Sequence, residues 1–185
     1  MADTSDFRNG MAIRYKGDLW TIVEFQHVKP GKGGAFVRTK LKNVSTGRVV
    51  DETYRAGEKV EEVRLERRDF QYLYQDGEFL TFMNMETYEQ VSLPKDTLGE
   101  LPLYIKESDT CQVLLHEGKP LIVEPPITVE LEVKQTDPGF RGDTAQGGTK
   151  PATMETGLVV LVPLFIEEGE VLKIDSRTGK YLGRV

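Results

Sequence analysis

The sequence has few of the side chains from which catalytic and metal sites are usually built. Its 185 residues contain one cysteine, Cys111, and two histidines, His27 and His116. A single cysteine excludes an internal disulfide and any zinc site made from several cysteines, and it favours a reduced, cytoplasmic setting. Neither histidine has a partner at a spacing that is diagnostic of nucleophilic catalysis. We therefore expect no catalytic residues, metal site or cofactor.

Long apolar runs are also missing. No stretch approaches the ~18 apolar residues of a membrane-spanning helix, and the N-terminus (MADTSDFRNG) lacks a basic segment followed by an apolar core. We expect neither a membrane partner nor a secretory signal. The chain instead has short apolar or alternating runs separated by turns rich in its 18 Gly and 9 Pro residues. Short strands joined by tight turns are typical of small barrels and sandwiches.

The expected secondary structure is β almost throughout. Strand-like runs cover residues 20–25, 35–41, 71–73, 79–83, 112–115, 121–123, 128–133, 158–165 and 171–174. A short helix is expected over 95–101, where Pro94 suits a first turn. The charged run 58–68 indicates a first domain boundary. The dipeptide Pro125-Pro126 indicates a second one, because prolines stiffen a connection and interrupt strand pairing. They divide the chain into pieces of 1–64, 65–127 and 128–185.

The last two of these pieces contain a similar segment. Residues 77–82 (GEFLTF) resemble residues 169–174 (GEVLKI), and a threonine and a tyrosine follow in both cases. Such an echo suggests that two similar barrels follow each other along the chain.

Charge is distributed unevenly over the three pieces. The whole chain has 24 Lys+Arg and 30 Asp+Glu, a net charge of -6, which argues against a general nucleic-acid binder. Residues 1–64 hold 12 basic and 9 acidic side chains (net +3), residues 65–127 hold 5 and 12 (net -7), and residues 128–185 hold 7 and 9 (net -2). No acid lies between Phe25 and Val50. Any contact with nucleic acid is therefore expected first of all in residues 1–64.

The segment from His27 to Phe36 is expected to form the tip of a long hairpin, because it lies between two strand-like runs. Pro30 and the glycines on both sides of Lys32 leave this lysine standing alone. A hairpin arm of about five residues would project it roughly 15 Å beyond a barrel, at ~3.3 Å per residue. A cation on a bare tip suits a narrow, negatively charged site such as one lined by RNA. An ordinary solvated hairpin, whose lysines keep an edge soluble, explains the same composition.

Two further segments could contact RNA. Arg38, Lys40 and Lys42 have a spacing of two, which places them on one face of a strand as a basic stripe suited to a phosphate backbone. The Gly-rich stretch 137–151 has no strand periodicity and is long for a connection, and such loops are usually functional or disordered. Its backbone amides, Arg141 and Lys150 could hydrogen-bond RNA. A polar outer sheet face and a flexible surface loop are the respective alternatives.

Several motifs in a common order resemble the bacterial elongation factor P family over essentially the full chain. They are residues 28–33 (VKPGKG), 35–41 (AFVRTKL), 72–74 (YLY), 76–78 (DGE), 82–84 (FMN), 136–139 (TDPG), 142–144 (GDT), 150–153 (KPAT), 162–165 (VPLF) and 169–170 (GE). The resemblance implies an all-β protein of three consecutive small barrels. A KOW-like, SH3-type N-terminal domain (1–64) is followed by two OB-type domains (65–127 and 128–185), in an elongated, L-shaped molecule.

The family resemblance also implies a function in translation. Members bind the ribosome between the P and E sites and relieve stalling at consecutive prolines by holding peptidyl-tRNA in a reactive geometry, so that their contribution is positioning. The implied partners are the ribosome, P-site peptidyl-tRNA, mRNA at the E site and a separate lysine-modifying enzyme, and we expect a cytoplasmic monomer. The peptide bond itself is made by ribosomal RNA, so the protein is expected to be no enzyme.

The resemblance assigns roles to individual residues. Lys32 matches the tip residue that the family extends by post-translational modification, and Gly142, Asp143 and Thr144 match the loop near the E-site codon. Contacts with tRNA or rRNA are expected at Lys29, Pro30, Gly31, Lys32, Gly33, Arg38, Lys40, Lys42, Tyr181 and Arg184.

Other interpretations predict different properties. A KOW/OB RNA-binding module acting in transcription or ribosome assembly would keep the basic stripe without needing Lys32. The elongation-factor-P-like paralogue lacks the PGKG tip and the GDT triplet, and the hypusine-bearing archaeal and eukaryotic factor has only two domains. A small-molecule enzyme would require a pocket with paired titratable groups, which the sequence does not supply.

Overall fold

The computed structural model describes residues 1–139 and 148–185, and these residues are almost entirely β-structure. The described helices are three short 3-10 turns, Thr4–Asp6, Lys95–Leu98 and Leu101–Leu103. None of them has the length and apolar character needed to cross a membrane. The helix expected over 95–101 is two separate turns, because Gly99 has a φ of 57° and Pro102 lacks the N–H of a continuous helix.

The first sheet has six antiparallel strands. They are β1 (Ala2–Asp3), β2 (Ala12–Tyr15), β3 (Asp18–Val28), β4 (Phe36–Asn43), β5 (Val49–Arg55) and β6 (Lys59–Val63). Their order in the sheet is β1-β6-β2-β3-β4-β5. Ile13, Ile22, Val37 and Leu41 are fully buried and form the centre of its core. In β4 the charged residues Arg38, Lys40 and Lys42 alternate with uncharged ones, and the side chains are alternately exposed and buried.

The charged run 58–68 forms strands rather than a linker. It supplies β6, which ends at Val63, and the start of the next strand at Leu65. Glu61 and Glu62 are exposed and form salt bridges with Arg14 (3.0 Å) and Arg8 (2.7 Å). Charged residues on the outer face of a sheet hide the strand pattern, and the sequence predicted neither β5 nor β6 for this reason.

The second and third sheets have five strands each. The second contains β7 (Leu65–Asp76), β8 (Phe79–Asn84), β9 (Gln90–Pro94), β10 (Thr110–His116) and β11 (Lys119–Glu124). The third contains β12 (Thr128–Thr136), β13 (Thr149–Met154), β14 (Val159–Pro163), β15 (Val171–Asp175) and β16 (Lys180–Arg184). Their orders are β11-β10-β7-β8-β9 and β14-β13-β12-β15-β16. In both sheets the first strand is central, with the second and third on one side and the fourth and fifth on the other.

A turn of the same kind closes one hairpin in each of the three sheets. The three turns have the sequences NVSTG (43–47), NMETY (84–88) and DSRTG (175–179). Each turn starts at a residue whose side-chain oxygen accepts a hydrogen bond from the backbone N–H two positions later (Asn43, Asn84 and Asp175). Each ends at a residue with positive φ (Gly47, Tyr88 and Gly179). The second and third of these turns account for the threonine in the internal echo. The echoed segments lie on non-equivalent strands, β8 and β15, and it is the shared strand order that shows two similar barrels in succession.

The described chain divides into two compact units. One comprises Met1–Arg67 with Leu114–Ile122, and the other comprises Arg68–Val113 with Val123–Val185. Within the second unit, Leu103 and the buried Tyr104 pack into the core of the third barrel. Thr156 in that barrel donates a hydrogen bond from its hydroxyl to the carbonyl oxygen of Leu103, at 2.5 Å. A short 3-10 turn between β9 and β10 therefore completes the core of the third barrel.

Candidate nucleic-acid interface

The loop between β3 and β4 presents two lysines to solvent, Lys29 at its start and Lys32 between two glycines at its tip. Residues 29–34 are exposed, and the backbone positions of Gly31 and Gly34 have open space around them. Gly33 has a φ of 108°, a conformation that L-residues rarely adopt. Within residues 1–139 and 148–185, the Lys32 side chain has no hydrogen bond or ion pair. Its ammonium group is therefore free to meet an external anion or to carry an added group.

Strand pairing continues closer to the tip than the sequence predicted. Strand β5 pairs with β4 as far as the Arg55–Phe36 pair, and Val37 is fully buried. What extends beyond the sheet is the loop 29–35, and the hairpin does not form a free five-residue arm. The free arm was expected to be longer because the sequence did not predict β5, which pairs with β4 up to Phe36.

The basic stripe on β4 is present, and its three cations differ in their neighbours. Arg38, Lys40 and Lys42 are all exposed on the outer face. Lys40 lies between Glu24 on β3 and Asp51 on β5, and its Nζ is 3.7 Å from the Glu24 carboxylate. The cross-strand neighbours of the other two cations are uncharged (Gln26 and Thr53 beside Arg38, Thr21 and Val49 beside Lys42). The fold thus brings two acids against the middle of the stripe.

A cavity lies against the three strands at the basic stripe. It has a volume of about 400 Å³ and is lined by the neighbouring segments 24–26, 38–40 and 51–53. The Arg38 guanidinium lies over the Phe36 ring, 5.6 Å from its centroid, close to the base of the loop. The surface can contact a phosphate backbone through Arg38, and it repels phosphate near Glu24 and Asp51.

The C-terminal candidates lie on the last strand, in different environments. Tyr181 is partly buried against the core of the third barrel, so its ring serves packing. Arg184 is exposed, and its Nε is 3.1 Å from a carboxylate oxygen of Glu170. Its guanidinium carbon lies 4.7 Å from the centroid of the Phe165 ring.

Phe165 was not predicted to be a functional residue. It was expected to end a strand over 158–165, whereas β14 ends at Pro163 and 60 % of Phe165 is exposed. The proline at the strand end was the available signal, because proline disfavours continuation of a central strand.

The triplet Gly142, Asp143 and Thr144 lies outside the described residues, but the flanking chain is informative. Lys150, which the sequence left open as a possible RNA contact, is buried, and its ammonium donates a hydrogen bond to the carbonyl oxygen of Asp137 at 2.6 Å. Strand β13 already begins at Thr149 and turns Lys150 inward. At Gly139, a Cβ would lie 2.2 Å from the carbonyl oxygen of Leu164, so the position requires glycine.

The environment of Cys111 explains why its thiol is not a nucleophile. Cys111 is fully buried, and burial raises the pKa of its thiol to about 12. A thiol that stays protonated is a poor nucleophile. In the described part of the chain, no three His, Cys, Asp or Glu side chains are grouped so that they could hold a metal ion.

Comparison with known proteins gives the same family for every part of the chain. Three family models match: the elongation factor P KOW-like domain over residues 3–60, the elongation factor P OB domain over 65–123, and the elongation factor P C-terminal domain over 129–184. The elongation factor P of Rhodococcus erythropolis is 59 % identical over 185 residues, covering 100 % of this chain and 99 % of that protein. The elongation factor P of Agathobacter rectalis is 55 % identical and covers 100 % of both chains.

Solved structures share the fold at low sequence identity. Eukaryotic translation initiation factor 5A from Methanococcus jannaschii superimposes with a TM-score of 0.54 at 22 % identity, over 67 % of this chain and 91 % of that one. An eIF-5A family protein from Naegleria fowleri gives a TM-score of 0.52 at 18 % identity, over 66 % and 93 %.

Proposed function

Since the chain belongs to the elongation factor P family, we propose that this translation elongation factor binds the ribosome between the P and E sites and relieves stalling at consecutive prolines. It stabilises P-site peptidyl-tRNA in a reactive geometry, and ribosomal RNA makes the bond. The observation that carries the proposal is the loop 29–35, where Lys32 stands between two glycines on an exposed tip and has no hydrogen bond or ion pair with the described residues.

The proposed contribution of the protein is positioning. Proline reacts slowly because its ring constrains the chain, and holding two reactants in the correct geometry lowers the barrier without new chemistry. Arg38 and Lys42, whose cross-strand neighbours are uncharged, contact the tRNA backbone, and Lys29 to Gly33 reach toward its CCA end. Gly142, Asp143 and Thr144 contact the mRNA codon at the E site.

We propose that a separate enzyme modifies Lys32. The loop offers that enzyme an exposed amine with open space around Gly31 and Gly34, and a longer polar side chain would extend the reach of a tip that projects only as a loop. The protein works in the cytoplasm as a monomer. Its domains are residues 1–64, 65–127 and 128–185, a division supported by the strand ends at Val63 and Glu124 and the strand starts at Leu65 and Thr128.

The test is translation of a reporter containing consecutive prolines in a strain that lacks its own factor. Wild-type protein, supplied with its modifying enzyme, is expected to relieve stalling, and Lys32→Ala is expected to abolish relief with no loss of stability. Lys32→Arg keeps the charge and removes the amine, so it is expected to fail as well. Lys119→Ala, an exposed lysine on β11, is the matched control.

Two results would contradict this proposal. The first is a wild-type protein that leaves the stalled reporter unchanged. The second is a Lys32→Ala variant that relieves stalling as well as the wild type, which would favour a general RNA-binding module. Intact mass of the protein purified from its native host checks the modification, since an unmodified chain has a mass of 20.9 kDa.

A further inference from the structure

We propose that Phe165 is a base-stacking residue: its exposed ring, with Arg184 against it, binds an unpaired nucleobase of single-stranded RNA. The inference rests on the proposed function, in which residues 142–144 contact the mRNA codon, and it names a contact that lies outside that triplet. Aromatic side chains on OB-type barrels bind single strands by stacking, which is worth about 1–3 kcal/mol per base.

The position of Phe165 is set by both ends of the Gly-rich connection between β12 and β13. The chain leaves β12 past Gly139, which approaches Leu164 so closely that a Cβ would overlap its carbonyl oxygen. It returns at Thr149, which pairs with Pro163 at the end of β14. Phe165 follows two residues after Pro163. In OB-type barrels the connection between the first two strands is one of the loops that contact oligonucleotides.

The Phe165 ring is fixed by one neighbouring side chain and remains largely exposed. Arg184 lies over it at 4.7 Å from guanidinium carbon to ring centroid, and Glu170 holds Arg184 at 3.1 Å. Exposure of 60 % shows that much of the Phe165 ring remains open to solvent. A cavity of about 970 Å³ extends beside it, lined by residues 136–139, Lys150 and residues 164–168, which is room for a nucleoside.

The acidic side chains around the ring favour recognition of a base over recognition of a phosphate. A carboxylate oxygen of Glu168 accepts the N–H of Thr136 at 3.1 Å. Glu170 accepts the N–H of Glu167 at 2.7 Å in addition to its contact with Arg184. These carboxylates stabilise the local turn. The two cations at this place are already engaged, Arg184 with Glu170 and Lys150 with the Asp137 carbonyl oxygen, so the surroundings are unfavourable for phosphate. We therefore expect the contribution of Phe165 to depend little on salt, since counterion release accompanies phosphate contacts.

The experiment measures the Kd of the full-length protein for a ribosome that carries P-site tRNA and mRNA with a single-stranded E-site codon. Phe165→Leu is expected to weaken binding by about 5-fold or more, the lower end of one stacked base. Phe165→Tyr is expected to bind like the wild type. Leu161→Ala, which truncates another exposed side chain of the same barrel (65 %), is the control and is expected to have no effect.

A codon made of abasic nucleotides separates stacking from other roles. With that mRNA, wild type is expected to fall to the affinity of Phe165→Leu, and the variant is expected to lose nothing further. If Phe165→Leu weakens binding equally with abasic and normal codons, the ring makes its contact with something other than a codon base, and the inference is wrong. Unchanged binding by Phe165→Leu with the normal codon would also overturn it. Either result leaves the proposed function intact as long as the wild type relieves proline stalling.

Discussion

At the scale of single residues, local sequence was a good guide where the environment is local. Glycines on both sides of Lys32 correctly predicted an exposed side chain, and the apolar run after Cys111 correctly predicted a buried thiol. The burial of Lys150 was not predicted, because its Gly-rich surroundings suggested an exposed loop. Its direction is decided by the start of β13 and by its pairing with Val162.

Burial of the Cys111 thiol predicts a pH dependence of stability. Its pKa is raised from 9.0 to about 12 in the folded protein, so between these values the thiol ionises only in the unfolded chain. Raising the pH from 8 to 10.5 therefore lowers the free energy of unfolding, by about 1–2 kcal/mol from this group. Urea titrations at the two pH values are expected to show a larger loss for the wild type than for Cys111→Ala. Equal losses would show that the thiol does not contribute.

At the scale of elements, periodicity correctly placed three cations on one face of β4, but it could not show what lies beside them. Strand register sets Glu24 and Asp51 beside Lys40, and it leaves Arg38 and Lys42 with uncharged neighbours. The three residues are equivalent in the sequence pattern and differ in electrostatic environment. A stripe that looks continuous in the sequence is divided in the structure.

This difference predicts unequal effects of charge removal. Arg38→Ala is expected to weaken ribosome binding several-fold and to reduce the slope of log Kd against log salt by about one phosphate contact. Lys40→Ala is expected to have a smaller effect on that slope, because Glu24 already lies near its ammonium group. Binding titrations over a range of salt concentrations measure both. Identical slopes for the two variants would contradict the expectation that Arg38 contacts phosphate more strongly than Lys40 does.

At the scale of the whole molecule, the third barrel depends on residues far away in the chain. Leu103 and Tyr104, which lie between β9 and β10, complete its core, and Thr156 bonds the carbonyl of Leu103 across 53 positions of sequence. Lys106 and Glu155 add a salt bridge of 3.2 Å at the same place. The third barrel is therefore stabilised from outside the segment 128–185 that the sequence analysis assigned to it.

Tyr104→Ala is expected to destabilise the third barrel. Loss of a buried aromatic side chain costs about 3–5 kcal/mol, and Tyr104 is only 8 % exposed. Amide hydrogen exchange is expected to show reduced protection in β12–β16, although the substitution lies outside those strands. Tyr88→Ala, which truncates a tyrosine that is 71 % exposed, is the matched control and is expected to change stability by less than about 0.5 kcal/mol. Unchanged exchange in β12–β16 would contradict this role for Tyr104.

Sequence alone determined the all-β class, the repeated barrel, the exposed lysine tip and the alternation of β4. Each of these follows from residues that are close together in the chain, through turn chemistry and the two-residue period of a strand. Tertiary structure alone decided which acids lie beside Lys40, that Lys150 points inward, and that Arg184 lies over Phe165. These depend on strand register and on packing between distant segments, and no local pattern encodes either.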